Sequence, residues 1–168
     1  MTELVTERLR LRRAQADDLA AMHAVLSDPR AVEYWSTPPH SDIETTRAWL
    51  GGMINAPPEV SEDFVVELDG RVIGKAGFYR LPDVGFILHP DVWGRGYARE
   101  AVAAVIAHVW ATRPEIDVLT ADADPLNMRS LRLLESLGFE RTGYAANTWL
   151  VGGEWKDSVY LALRRPRS

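Results

Sequence analysis

One stretch constrains this chain more than any other: Gly85-Phe-Ile-Leu-His-Pro-Asp-Val-Trp-Gly-Arg-Gly-Tyr-Ala-Arg-Glu100. A β-rich run stops, a short loop carries Gly94 and Gly96, and a helical pattern starts at once. Glycines let backbone turn tightly and approach a ligand with no Cβ in the way. The first amides of a helix have no partner inside it, and the helix dipole adds positive potential there. Together these predict an anion site suited to a phosphate or pyrophosphate; a Gly-x-Gly pair alone also serves simply to shape a turn. The stretch does not read as a dinucleotide fingerprint. Arg99 stands where the third Gly belongs, and the loop follows an antiparallel hairpin instead of closing a first βαβ unit.

Around this stretch, strand and helix periods alternate. Arg8–Arg13 alternates, with Leu9 and Leu11 on one face. Asp17 is the expected cap of a helix carrying Leu19, Met22, Val25 and Leu26, stopped by Asp28-Pro29. Ser41-Asp-Ile-Glu44 reads as a capping box opening a second helix. Asp69-Gly70, between Phe64–Leu68 and Arg71–Tyr79, signals a hairpin, because both central residues of a type I′ turn need φ > 0. Asp83–Leu88, Val118–Ala123, Arg141–Leu150 and Glu154–Leu163 read as strands. Gly96–Arg113 and Asn127–Leu137 read as helices, the latter with Gly138 where a left-handed cap is expected. The result is an α+β (mixed α/β) fold of about seven strands and four helices around one mostly antiparallel sheet. With no linker in 168 residues, residues 1–168 are expected to form a single domain.

Composition removes several function classes. There is no cysteine, hence no disulfide framework, zinc–thiolate site, iron–sulfur cluster or thiol nucleophile, and no metal site is expected. The net charge is −5, and the arginines of Arg8–Arg13 and Arg164–Arg167 do not make the basic face that neutralising many phosphates requires, so no nucleic-acid partner is expected. The longest apolar run, Ala101–Ala107, is far shorter than the roughly 20 residues that span a bilayer. The first residues lack the order of a signal peptide. A cytoplasmic protein without a membrane partner is expected, as a monomer or homodimer.

A second segment, Asn127-Met-Arg-Ser130…Gly138-Phe139, follows the next strand. Together with Trp93-Gly-x-Gly-Tyr-Ala-x-Glu-Ala101 it resembles the GNAT superfamily of acyl-CoA-dependent N-acetyltransferases, in particular the branch of ribosomal-protein N-terminal acetyltransferases. Gly96 and Ala98 fill the last two places of the family's Q/R-x-x-G-x-G/A element; Trp93 takes the Gln/Arg place. The resemblance extends over nearly the whole chain and implies a sheet splayed between the fourth and fifth of the seven strands, with acetyl-CoA as acyl donor lying in the gap.

What the resemblance implies about the site is specific. Main-chain groups of Phe86, Ile87 and Leu88 should pair with the pantetheine arm. The amides of Gly94, Arg95, Gly96, Tyr97, Ala98 and Arg99 should cradle the pyrophosphate, and Asn127 should hydrogen-bond the cofactor arm. The family's Tyr acid for the leaving thiolate is replaced by Leu134; Ser130 is the substitute, with a plain backbone-capping role as the alternative. Asp83 is the first choice of general base, acting through water, with Asp157, Asp122 and Glu62 as alternatives. Trp35, His40, Trp149, Trp155 and Asp157 should line the acceptor pocket, and Glu33, Glu62, Asp63, Asp83 and Asp157 should make its mouth acidic. The implied reaction is direct attack by a primary amine, either a protein N-terminus or a small cationic amine, in a ternary complex. The competing function is a non-catalytic acyl-CoA-binding sensor or subunit.

Overall fold

The computed structural model describes residues 2–167. In it, β1 (Glu3–Val5), β2 (Leu9–Arg12), α1 (Leu19–Leu26) and α2 (Ile43–Ile54) precede an antiparallel run of β3 (Glu62–Leu68), β4 (Arg71–Arg80) and β5 (Asp83–Leu88). Helix α3 (Tyr97–Thr112), β6 (Val118–Ala123), α4 (Met128–Ser136), β7 (Glu140–Val151) and β8 (Glu154–Arg164) follow. One sheet runs β1-β2-β3-β4-β5-β6-β8-β7. It has eight strands where the sequence predicts seven. The extra strand, β1, is three residues long and mostly exposed, too short for a period-2 pattern; Arg10 on β2 pairs with its Glu3.

Both faces of the sheet are covered. Phe64, Val66, Phe78 and Leu119 pack with Val102, Val105 and Val109 of α3 and Leu131 and Leu134 of α4. On the other face, Val65 and Ile87 meet Met22, Val25 and Leu26 of α1 and Leu50 and Met53 of α2. This is why Phe64-Val-Val66 does not alternate: side chains leave a strand on both sides, and β3 is buried on both.

The turn chemistry follows the residue types. Asp69 and Gly70 have φ of 51° and 78°, as a type I′ turn requires. Gly138 has φ of 100°, and the Phe139 N–H returns to the Leu134 carbonyl at 3.1 Å, closing α4. Two caps differ from expectation. Asp42, not Ser41, caps α2, accepting from the Thr45 N–H at 2.8 Å. At α1 the carboxylate that acts is Asp18, not Asp17: it accepts from the Gln15 N–H at 2.7 Å and from Arg12. No described helix is long and apolar enough to cross a membrane.

Candidate active site

Strands β5 and β6 are parallel and meet at one register position, Asp83 opposite Thr120. The Thr120 N–H donates to the Pro82 carbonyl at 3.0 Å. Beyond that point they diverge into a V open toward their carboxyl ends, the side on which open sheets hold ligands. Helix α3 starts after the loop that leaves β5, and α4 starts after β6.

Ladder alternation decides which backbone groups face the V. The His89 N–H donates to the Ile73 carbonyl at 2.8 Å. Two residues back, Ile87 opposite Lys75 is therefore the next hydrogen-bonded pair. Ile87 turns its main-chain groups toward β4 and buries its side chain against α1 and α2. Its expected pairing with a cofactor arm is corrected: only Phe86 and Leu88 present backbone to the gap. The Leu88 carbonyl is occupied by the Trp93 indole N–H at 2.9 Å. Trp93 thus supplies a donor from its place in the loop, and the Arg129 guanidinium lies 4.5 Å above its ring. The Phe86 N–H and C=O and the Leu88 N–H are left as an open edge.

At the mouth of the V, Gly94 and Gly96 have φ of 80° and 82°, a left-handed backbone that side chains disfavour. The first intrahelical bond of α3 runs from the Glu100 N–H to the Gly96 carbonyl, so the amides of Tyr97, Ala98 and Arg99 precede it and lack helical partners. Arg8 fixes the loop from outside. Its guanidinium donates to the Arg95 carbonyl at 2.8 Å, pairs with Glu100 at 2.7 Å and lies over the Tyr97 ring. The Arg99 side chain turns away to Ser136 Oγ at 3.1 Å, tying α3 to α4. Asn127 caps α4, its Oδ1 accepting from the Ser130 N–H at 3.2 Å. Ser130 and Leu134, one turn apart, both line the cleft.

The cleft itself, of about 800 Å³, lies on the α1/α2 side of the sheet and reaches into the V as far as Phe86, Asn127 and Ser130. Trp35, Trp49, Tyr79 and Trp149 give it aromatic walls. Glu33, Asp83, Asp122, Asp124 and Asp157 line it against Arg80 and Lys156, the latter paired with Glu154 at 3.0 Å, and beside the mutually paired Lys75 and Asp63, so its rim is acidic. Asp83 sits at the apex of the V. Enclosure by the cleft walls pushes its carboxyl above the ordinary range, the Thr120 hydroxyl bond at 3.0 Å opposes this, and the Asp122 charge adds to the rise. Asp122 accepts from the Trp149 indole at 3.1 Å. Asp157 is held low by the Tyr144 hydroxyl and by the Asn147 N–H, which it accepts at 2.9 Å.

Three expectations for the acceptor side are corrected. His40 is buried outside the cleft, its Nδ1 2.7 Å from Thr46 Oγ1 on α2. Trp155 is 59% exposed and off the cleft wall; it pairs with Leu150 while Trp149 and Lys156 form the adjacent pair that faces in, as alternation demands. Glu62 is not at the mouth. It is buried on the opposite side among Arg13, Arg113 and His108, at 2.8, 2.9 and 3.0 Å. Burial alone would raise its carboxyl; the Arg113, His108 and Arg13 contacts outweigh that and hold it low.

Sequence reasoning passes over Trp49, Tyr79 and Lys75. Trp49 shares an apolar helix stripe with Leu50 and Met53, and only Gly52, one turn on and lining the same cleft, distinguishes a wall from a core position. Among the described residues no group of three His, Asp or Glu side chains is placed to hold a metal.

A family model described as an acetyltransferase (GNAT) domain matches residues 8–140. An uncharacterized N-acetyltransferase, p20, of Bacillus licheniformis is 29% identical over 172 residues, covering 97% of this chain and 96% of that protein. The [Ribosomal protein uS5]-alanine N-acetyltransferase of Escherichia coli is 32% identical over 126 residues, 68% of this chain and 64% of its own. The crystal structure of an acetyltransferase (GNAT family) from Bacillus anthracis superposes with a TM-score of 0.85 at 26% identity, covering 98% of this chain and 99% of that one. The splayed parallel pair, the glycine loop at a helix start and these matches agree: the chain belongs to the GNAT family of N-acetyltransferases, enzymes that carry an acetyl group from acetyl-CoA to an amine.

Proposed function

We propose that this enzyme acetylates a cationic or N-terminal primary amine by direct attack, with acetyl-CoA in the V between β5 and β6 and the amine in the acidic aromatic cleft. The single register contact between those strands carries the proposal. It leaves an unpaired strand edge that fits an amide-bearing arm, next to free helix-start amides that fit a pyrophosphate. In this assignment the Phe86 backbone and the Leu88 N–H hold the arm, Asn127 reaches it from α4, and Gly94–Arg99 take the pyrophosphate through their amides. Acetyl-CoA supplies an acyl group on a thiolate that leaves readily.

The chain's own residues supply the rest. Asp83 takes a proton from the amine, directly or through water, its raised pKa bringing it closer to neutrality than an ordinary carboxylate. A backbone N–H on the open edge of β5 stabilises the oxyanion. Ser130 donates a proton to the departing thiolate. Glu33, Asp122, Asp124 and Asp157 raise the local concentration of cationic acceptors. A related protein named for acetylating a ribosomal-protein alanine supports an α-amine among the acceptors.

A panel of N-terminal peptides, polyamines, amino acids and hydroxyl compounds, read by free CoA thiol, tests this. Amines should be acetylated and hydroxyl compounds not. Rates with the best acceptor should fall with added salt, because exposed charges are screened over about 10 Å at 0.1 M. An anionic best acceptor, or a salt-independent rate, removes the acidic rim from recognition.

The glycine loop is tested separately. Gly96→Asp puts a carboxylate beside the phosphate site, forces a side chain into left-handed backbone, and brings a Cβ to 3.4 Å from Arg8 Nη2. Acetyl-CoA affinity should fall by about tenfold or more, about 1.4 kcal/mol. Calorimetry on the folded variant showing unchanged affinity would take the loop out of the site.

A further inference from the structure

We infer that Lys75 and Asp63 form a subsite that reads a carbonyl or carboxylate oxygen placed next to the acceptor's amine. The two side chains form part of the cleft wall, with Lys75 Nζ 2.8 Å from Asp63 Oδ1. Each residue is only 4% exposed. Nothing in the core asks for a charge there: the cross-strand neighbours of Lys75 are Val65 on one side and Ile87 on the other, between which an apolar side chain would pack without the desolvation cost of a buried ion pair. Nor does the pair satisfy itself. Asp63 Oδ1 lies beside the ammonium yet out of alignment for a hydrogen bond, and an ammonium has three donors to place. A buried, incompletely bonded cation lining a cleft is a group that a ligand oxygen would complete.

Two glycines lie beside the pair. A Cβ at Gly77 would come within 2.4 Å of the Glu62 carbonyl oxygen, 2.8 Å of Asp63 Cα and 2.9 Å of Asp63 Oδ1, so glycine there lets the β3 backbone and the Asp63 carboxylate lie close against β4. A Cβ at Gly85 would stand in ordinary contact, 4.0 Å from Lys75 Nζ, and both residues line the cleft. Gly85 and Asp83 are on the same face of β5, roughly 7 Å apart along the strand. Asp83 and Lys75 both line the cleft, so an amine hydrogen-bonded to Asp83 turns the carbonyl oxygen of the same α-amino acyl group, two carbons along, toward the Lys75 ammonium. A polyamine offers only donors and positive charge to that ammonium. The subsite therefore selects α-amino acyl compounds over polyamines and simple alkylamines. This inference rests on the acceptor site proposed above.

The test compares three acceptors on the unaltered enzyme with saturating acetyl-CoA, each rate corrected for its fraction of free amine. They are a short Ala-initiated peptide, free alanine, and isopropylamine, which keeps the branched amine and lacks the carbonyl. At least one carbonyl-bearing acceptor should exceed isopropylamine by about tenfold or more in kcat/KM; peptide against free alanine then tells an amide oxygen from a carboxylate. Lys75→Met should collapse that ratio to within about threefold. Isopropylamine matching both in the unaltered enzyme overturns the subsite, and this comparison decides even if the variant fails to fold. A folded Lys75→Met that slows every acceptor by one common factor overturns it too, as does turnover of spermidine with none of the three. If no amine of any kind supports CoA release, the acceptor site itself is overturned instead.

Discussion

Asp83→Asn should lower kcat/KM for the best amine by about 10²–10⁴ near pH 7, the usual loss of a general base. Asn keeps the shape and can still accept from the Thr120 hydroxyl, so the fold at the one contact between β5 and β6 should survive. The pH profile carries the sign. The base works unprotonated, so the rate rises with pH through its pKa. Enclosure by the cleft walls and the Asp122 charge raise that pKa, so the rising limb should lie above the ordinary aspartate value of about 3.9. Asp122→Asn removes the negative neighbour and should move the limb to lower pH. A variant Asp83→Asn that keeps half its rate would leave deprotonation to water or to another carboxylate of the rim.

The parts of the site that are legible in the sequence are those fixed by local backbone chemistry. Gly94 and Gly96 before Tyr97–Thr112 announce free amides wherever they fold, and Asn127 three residues before Ser130 announces a cap. Asp69-Gly70 and Gly138 predict their own torsions. The misplaced residues depend instead on which way a strand or loop faces. Trp149 and Trp155 look equivalent in sequence, yet alternation and the turn at Gly152-Gly153 send one into the cleft and the other away. Glu62 and Asp63 are adjacent acids on β3, and their side chains leave on opposite sides, Glu62 to Arg113 and His108, Asp63 to Lys75. Ile87 sits between two gap-facing residues and turns its backbone to β4. His40 sits in a loop whose path sends it inward, to Thr46. None of these is written in a residue type; each follows from long-range pairing.

Ser130→Ala should lower kcat while leaving acetyl-CoA affinity nearly unchanged, at the lower end of the 10²–10⁴ range for a lost acid, because a thiolate is a good leaving group. Leu134, one turn further along α4, lines the same cleft and has no proton to give. Ser130 is half-buried there, and side chains on a helix tilt toward its N-terminus, which directs the hydroxyl toward Asn127 and the gap. Its N–H is already engaged by Asn127 Oδ1, so capping makes no use of the hydroxyl and survives in the Ala variant. Loss of kcat with an unchanged melting temperature therefore separates proton donation from helix capping. A fall of less than twofold would mean that the thiolate leaves unaided or takes its proton from Tyr34 or Tyr79, the two phenols on the cleft wall. Tyr79→Phe and Tyr34→Phe in the Ser130→Ala background would then show which, since only the true donor adds a further loss.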